Sequence, residues 1–141
     1  MFRTFILAGA LALAPVAAAS AQDAGPTDAQ IAHIAYTAGQ LDVDAARQAL
    51  EKTTNPEVRA FAELMARDHA AVNAQAVALV TRLHVTPEAN PTSTALTEAA
   101  AATHDRLQAL DGAAFDAAYV ANEVAFHQTV NTALSGTLIP D

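Results

Sequence analysis

Apolar residues recur every three or four positions along most of this chain, which is the spacing that gathers them on one face of an α-helix. The clearest example spans residues 58–83, where the apolar positions are Val58, Ala62, Met65, Val72, Ala76, Leu79 and Leu83. A polar residue, His69, fills the gap in this stripe. We therefore predict a long helix that packs this face against other helices of a bundle.

The same spacing predicts four helical segments, at about 28–52, 56–84, 92–110 and 113–135. Thr27 and Gln30 have the spacing of a capping box for the first segment, and Asn55 followed by Pro56 suits the start of the second. Gly136 is a natural C-cap for the last segment. No stretch alternates apolar and polar residues for long enough to predict a strand. The predicted fold class is all-α, an antiparallel helical bundle.

The start of the chain has the pattern of a secretory signal peptide. Arg3 supplies a positive n-region, residues 5–19 are largely apolar, and Ala19 and Ala21 are the small residues that a cleavage site needs. The apolar core is too short to span a bilayer. We therefore predict an exported, periplasmic protein that is cleaved after Ala21. The predicted organisation is a signal peptide at 1–21, a disordered lead-in at 22–26 and a bundle domain at 27–141.

Composition narrows the classes of partner. The chain contains no cysteine, so we expect neither disulfides nor a lipidated cysteine as a membrane anchor. Without Arg3, six Lys and Arg residues stand against fifteen Asp and Glu residues, which makes the predicted mature chain acidic. An acidic surface repels nucleic-acid phosphates and anionic lipid headgroups. We therefore expect no nucleic-acid partner, and we predict no membrane span.

Four motifs follow one another along the chain, three within or across the predicted helices and one after the last helix. They are Phe-Ala-Glu-Leu-Met-Ala-Arg-Asp-His at 61–69, Leu-Gln-Ala-Leu-Asp-Gly-Ala-Ala-Phe-Asp-Ala-Ala-Tyr at 107–119, Glu-Val-Ala-Phe-His at 123–127 and Thr-Leu-Ile-Pro at 137–140. This ordered set resembles the bacterial exported domain of unknown function 4142, a member of the ferritin-like superfamily. The resemblance implies a ferritin-like bundle in the periplasm, and it implies no activity because none is established for the family.

The sequence departs from that family at its end. Family members usually continue past Leu-Ile-Pro into a further long helix. This sequence lacks that helix, as a truncated member of the family would. The resemblance then implies that one face of the bundle is uncovered. Such a face would serve as an interaction surface for a partner helix or for a second copy of the chain.

The candidate chemistry centres on His69, Glu123 and His127. Glu123 and His127 are four residues apart and share one face of the fourth helix, while His69 lies on the packed face of the second. If these faces meet, two imidazoles and a carboxylate would suit zinc, iron, copper or manganese, with Asp68 or Asp116 orienting a ring.

The usual di-metal site of ferritin-like proteins needs a Glu-x-x-His motif on each of two helices. No Glu-x-x-His occurs in this sequence, which argues against that site. The structural alternative is a buried polar cluster in which a histidine bonds Glu123 or a backbone carbonyl. His33, His84 and His104 are predicted to be exposed. Asp42 and Asp44 are assigned to a solvated face, and Phe115 and Tyr119 to the core.

No catalytic residue is assigned, because the sequence has no cysteine, no nucleophile elbow and no glycine-rich phosphate loop. The leading hypothesis is an exported, non-enzymatic bundle with a stress-related or interaction role and no cofactor. The alternative is a metal-binding ferritin-like bundle that uses His69, Glu123 and His127.

Overall fold

The computed structural model describes residues 25–138, so the predicted leader and residues 22–24 of the lead-in lie outside the described residues. Within them the elements are α1 (Asp28–Lys52), α2 (Pro56–Arg82), α3 (Pro91–Gln108), α4 (Gly112–Ala133) and a π-helical turn (Leu134–Leu138). Residues 25–138 form no strand, and the predicted all-α class is confirmed. In this part of the chain, no helix has both the length and the apolar character to cross a membrane.

Local hydrogen bonds explain where the first two helices begin. The Thr27 hydroxyl accepts from Gln30 N, and the Gln30 side chain accepts from Thr27 N, which completes the predicted capping box. At the start of α2, Asn55 Oδ1 accepts from Glu57 N, and Pro56 occupies the first turn. Each cap satisfies backbone N–H groups that have no partner inside the helix.

The third and fourth helices differ at both ends from the predicted bounds of 92–110 and 113–135. α3 begins at Pro91 because Asn90 is the N-cap and forms a reciprocal capping box with Ser93. Gly136 does not end the last helix, since the backbone continues through it as the π-helical turn.

The four helices run alternately up and down. Arg59 near the start of α2 donates to the Leu50 carbonyl near the end of α1, so these helices are antiparallel. α3 runs parallel to α1: Asn90 Nδ2 donates to the Gln30 carbonyl at one end, and Gln48 Nε2 donates to the His104 carbonyl near the other. α1 is the central helix, because it contacts all three others.

The apolar core lies where α1 ends and α2 and α4 begin. Phe115 and Tyr119 are fully buried with their rings stacked at 6.1 Å, which confirms their assignment to the core. The remaining buried members are Leu107, Val58 and three alanines, Ala46, Ala49 and Ala62. The small alanine side chains allow the helix axes to approach closely around the aromatic pair.

The second half of α2 departs from the predicted stripe. Val58 and Ala62 are buried as predicted, but Val72, Leu79 and Leu83 are exposed, so the prediction is wrong there. The residue that packs against α1 is Asn73, one turn after His69. The approach is close, since a Cβ on Gly39 of α1 would overlap Asn73 Oδ1 and would require the Asn73 side chain to move. The buried face of α2 in this half is thus the one that carries Asn73.

Candidate metal centre

Three helices place polar residues on their packed faces at the same level of the bundle, one each on α1 and α2 and two on α4. On α1, Ile34, Ala38, Asp42 and Ala46 follow one another at four-residue steps. On α4 the corresponding row is Phe115, Tyr119, Glu123 and His127, and on α2 it passes from Val58 and Ala62 to His69. Side chains four residues apart on a helix lie above one another, so these rows bring the polar groups together below the apolar core.

Asp42, His69 and His127 form the centre. One carboxylate oxygen and one nitrogen from each ring all lie within 4.8 Å of one another. The Nε2 atoms of His69 and His127 are 3.4 Å apart, and the ring planes meet at 68°. His69 Nδ1 lies 3.3 Å from Asp42 Oδ2, and His127 Nδ1 lies 2.8 Å from the backbone carbonyl oxygen of Glu123.

The hydrogen bonds define which nitrogens are free to bind a cation. A carbonyl oxygen only accepts, so His127 Nδ1 carries the hydrogen, and Nε2 of the neutral ring has a lone pair. Asp42 faces Nδ1 of His69 in the same way. Both Nδ1 atoms thus point to oxygens while both Nε2 atoms face each other. Oxygen partners of this kind orient the rings of metal-bound histidines.

Two imidazole lone pairs repel each other at 3.4 Å, so the two Nε2 atoms either share a hydrogen bond or bind a common cation. The position between them is the one at which a metal ion would contact both rings.

Two buried carboxyl groups set the electrostatics. Asp42 is 4% exposed, and burial raises its pKa although the neighbouring charges of His69 and His127 lower it. Glu123 is 2% exposed, and burial, followed by the charge of Asp42, raises its pKa to about 7. Within residues 25–138, Glu123 Oε2 has no hydrogen-bond partner, whereas Oε1 accepts a long bond from Asn122 Nδ2 at 3.5 Å.

A family model described as Domain of unknown function (DUF4142) matches residues 13–140. The chain belongs to this family. The resemblance inferred from the motifs is thus confirmed. No curated protein and no solved structure shows a significant similarity to the chain. The family description names no activity, so the functional argument for this DUF4142 chain depends on the geometry of the centre.

The structure brings together two of the three residues that the sequence suggested. His69 and His127 meet, but the Glu123 carboxylate is not among the three clustered groups, and Glu123 contributes its backbone carbonyl instead. The clustered carboxylate belongs to Asp42, so its assignment to a solvated face was wrong. Its place in the four-residue row of α1 was the signal that could have identified it, because that row is otherwise apolar.

The orienting residues suggested for the imidazoles lie elsewhere in the DUF4142 chain. Asp68 pairs with Arg67 at 2.8 Å on the surface, and Asp116 accepts from Thr53 Oγ1 at 2.6 Å. Neither bonds a histidine in the described residues.

The remaining histidines lie outside the centre. His84 and His104 are exposed, as predicted. His33 is half-buried and lies 3.4 Å from the Thr37 hydroxyl, so its predicted exposure was only partly correct.

Proposed function

We propose that this protein is an exported, non-enzymatic four-helix bundle that binds one divalent transition-metal ion through Nε2 of His69 and Nε2 of His127, with Asp42 orienting the His69 ring. The observation that carries the proposal is the facing pair of Nε2 atoms, 3.4 Å apart, in rings held by oxygens at Nδ1. Zinc binds histidine nitrogen at about 2.0–2.1 Å, so tetrahedral angles separate two such nitrogens by about 3.4 Å. A zinc ion could therefore bind both Nε2 atoms with little movement of either ring.

The donor set narrows the class of metal. Two imidazoles with a carboxylate beside them suit zinc, copper, iron or manganese, and the affinity order for divalent ions at nitrogen sites favours copper and zinc. Asp42 supplies negative charge and holds His69 through Nδ1. A single ion is proposed because the sequence has no Glu-x-x-His motif to complete a two-metal site.

The other parts of the proposal have separate support. Export is supported by the signal-peptide pattern at residues 1–21. A binding rather than a catalytic role is supported by the lack of nucleophile and phosphate-loop motifs in the sequence.

Elemental analysis of the protein, purified without a histidine tag and dialysed after exposure to zinc, tests the proposal. We expect about one zinc ion per chain in the wild type and in the control His104→Ala, whose side chain is exposed. His69→Ala and His127→Ala should each lose the ion. If both variants retain it, or if they only lower the melting temperature of a protein that never binds metal, the centre is a structural polar cluster.

A second candidate function is an interaction module, and the exposed apolar residues of α2 favour it. Val72, Leu79 and the C-cap residue Leu83 are exposed, and their steps of seven and four residues place them on one face. Exposed apolar residues that share a face are typical of interaction sites. Light scattering should then show a concentration-dependent dimer or larger species, and a strict monomer would contradict this candidate.

A further inference from the structure

A cavity of about 450 Å³ lies between α1, α3 and α4. Its large apolar lining residues are Leu41, Leu96, Leu107 and Phe126. Short residues of α3, among them Ala100 and Thr103, also line it, and they do not reach far enough to fill the space between α3 and α4. Neither His69 nor His127 lines the cavity, whereas Asp42 belongs to both, so the cavity adjoins the metal centre without containing its two imidazoles.

The titratable groups of the cavity wall are three carboxyl groups and one exposed histidine, His104. Asp42 and Glu123 line the cavity and are both more than nine-tenths buried, and Asp44 is an exposed member of the wall. Among the described residues, no lysine or arginine lines the cavity. Glu123 Oε2 has no hydrogen-bond partner within residues 25–138. A buried carboxylate oxygen without a donor is costly, so a ligand that brings one would be favoured there.

We propose that this cavity binds a small amphiphilic amine, with its apolar body between α1, α3 and α4 and its ammonium group beside Asp42 and Glu123. The volume lies within the range of small-molecule sites, and such sites combine apolar walls with a few polar groups that fix orientation. The acidic wall selects the charge of the ligand. An anion of the same length meets like charges, and a neutral alcohol cannot form the charge-assisted hydrogen bond.

Calorimetric titration of the full chain with octylamine, octanol and octanoate tests the proposal, because the three probes share one apolar body and differ in the head group. We expect octylamine to bind one per chain, about tenfold tighter than octanol, and octanoate to bind most weakly. Glu123→Gln should weaken octylamine binding and leave octanol binding unchanged. Equal binding of the three probes, or the tightest binding for octanoate, would overturn the proposal.

Three further variants test whether octylamine binds in the cavity or elsewhere on the molecule. Ala100→Phe fills the cavity and should abolish octylamine binding while the melting temperature stays at or above that of the wild type. The matched control is Ala74→Phe, on an exposed position of α2, which should leave binding intact. His127→Ala should also retain octylamine binding, so a failure of the metal proposal would not affect this result. Unchanged octylamine binding in Ala100→Phe would place the amine elsewhere and refute the cavity site.

Discussion

The Nε2 atoms of His69 and His127 face each other at 3.4 Å, and each ring is held at Nδ1 by an oxygen. A metal ion that binds both Nε2 atoms needs the lone pair of each and displaces any hydrogen that they share. Binding a cation to this pair is therefore a competition between metal and proton.

We predict that zinc affinity rises with pH. Displacement of one proton changes the association constant by up to about tenfold per pH unit, in the range of about pH 5 to 8 where histidine ordinarily changes its charge. Calorimetry in two buffers of different ionisation enthalpy measures the protons released. His104→Ala serves as the control and should release the same number as the wild type. Zinc binding that does not change with pH would contradict the arrangement.

Asp42 combines a negative charge with an acceptor for His69 Nδ1, and two substitutions separate these roles. Asp42→Asn keeps an acceptor oxygen but removes the charge, whereas Asp42→Ala removes both. We expect zinc affinity to fall in the order wild type, Asp42→Asn, Asp42→Ala, with a loss of about 10- to 100-fold for the alanine variant, as for other orienting partners of metal-bound histidines. Competition with a chelating dye measures the affinities. Equal affinity in all three proteins would exclude Asp42 from the site.

Helix boundaries were predictable because their causes are local. Thr27 with Gln30 and Asn55 with Pro56 are neighbours in the sequence, and their hydrogen bonds involve only the first turn of each helix. The first helix has the predicted bounds, Asp28–Lys52, in the structure. Asn90 was missed because it stood in a loop rich in turn residues, where its role as a cap depends on the Ser93 side chain.

The candidate site was only partly predictable, because two of its determinants depend on contacts between helices. α2 carries apolar residues on more than one face, so spacing alone did not decide whether Val72 or Asn73 packs against α1. In the structure Asn73 is buried beside Gly39 and Val72 is exposed. Asp42 was assigned to solvent from its charge, although its position in an apolar row indicated burial.

Glu123 makes the stability of the metal-free protein depend on pH. Its pKa in the folded chain is about 7, against an ordinary value of 4.5, so the folded state binds this proton more tightly than the unfolded state. The stabilisation is fully present below about pH 4.5 and is lost as the pH rises through about 7. The difference corresponds to a free energy of unfolding on the order of 3 kcal/mol.

We therefore predict that Glu123→Gln flattens the loss of stability between about pH 5 and 8, and that the variant is the more stable protein at the upper end. Urea denaturation at both pH values, with a chelator present, measures the effect. Glu63→Gln is the matched control, since Glu63 is exposed on α2, and it should keep the wild-type dependence. A Glu123→Gln protein with the wild-type pH dependence would show that this carboxyl does not carry the effect.

The contact between Gly39 and Asn73 supports the centre from one turn away. Alanine favours a helix over glycine by about 1 kcal/mol, so Gly39→Ala would stabilise a helix with room for the methyl group. Here the new Cβ overlaps Asn73 Oδ1, and overpacking of this kind costs about 1–3 kcal/mol. We predict that Gly39→Ala lowers the free energy of unfolding and also weakens zinc binding, because α2 carries both Asn73 and His69.

A double-mutant cycle isolates this contact. Asn73→Ala removes the overlapping side chain, so Gly39→Ala should be neutral or stabilising in that background, with a coupling of about 1–3 kcal/mol between the two positions. Ala74→Gly, an exposed neighbour, should show no coupling with Gly39→Ala. Additive effects of Gly39→Ala and Asn73→Ala would mean that the helices adjust to the methyl group. The spacing of α1 and α2 would then not depend on this glycine.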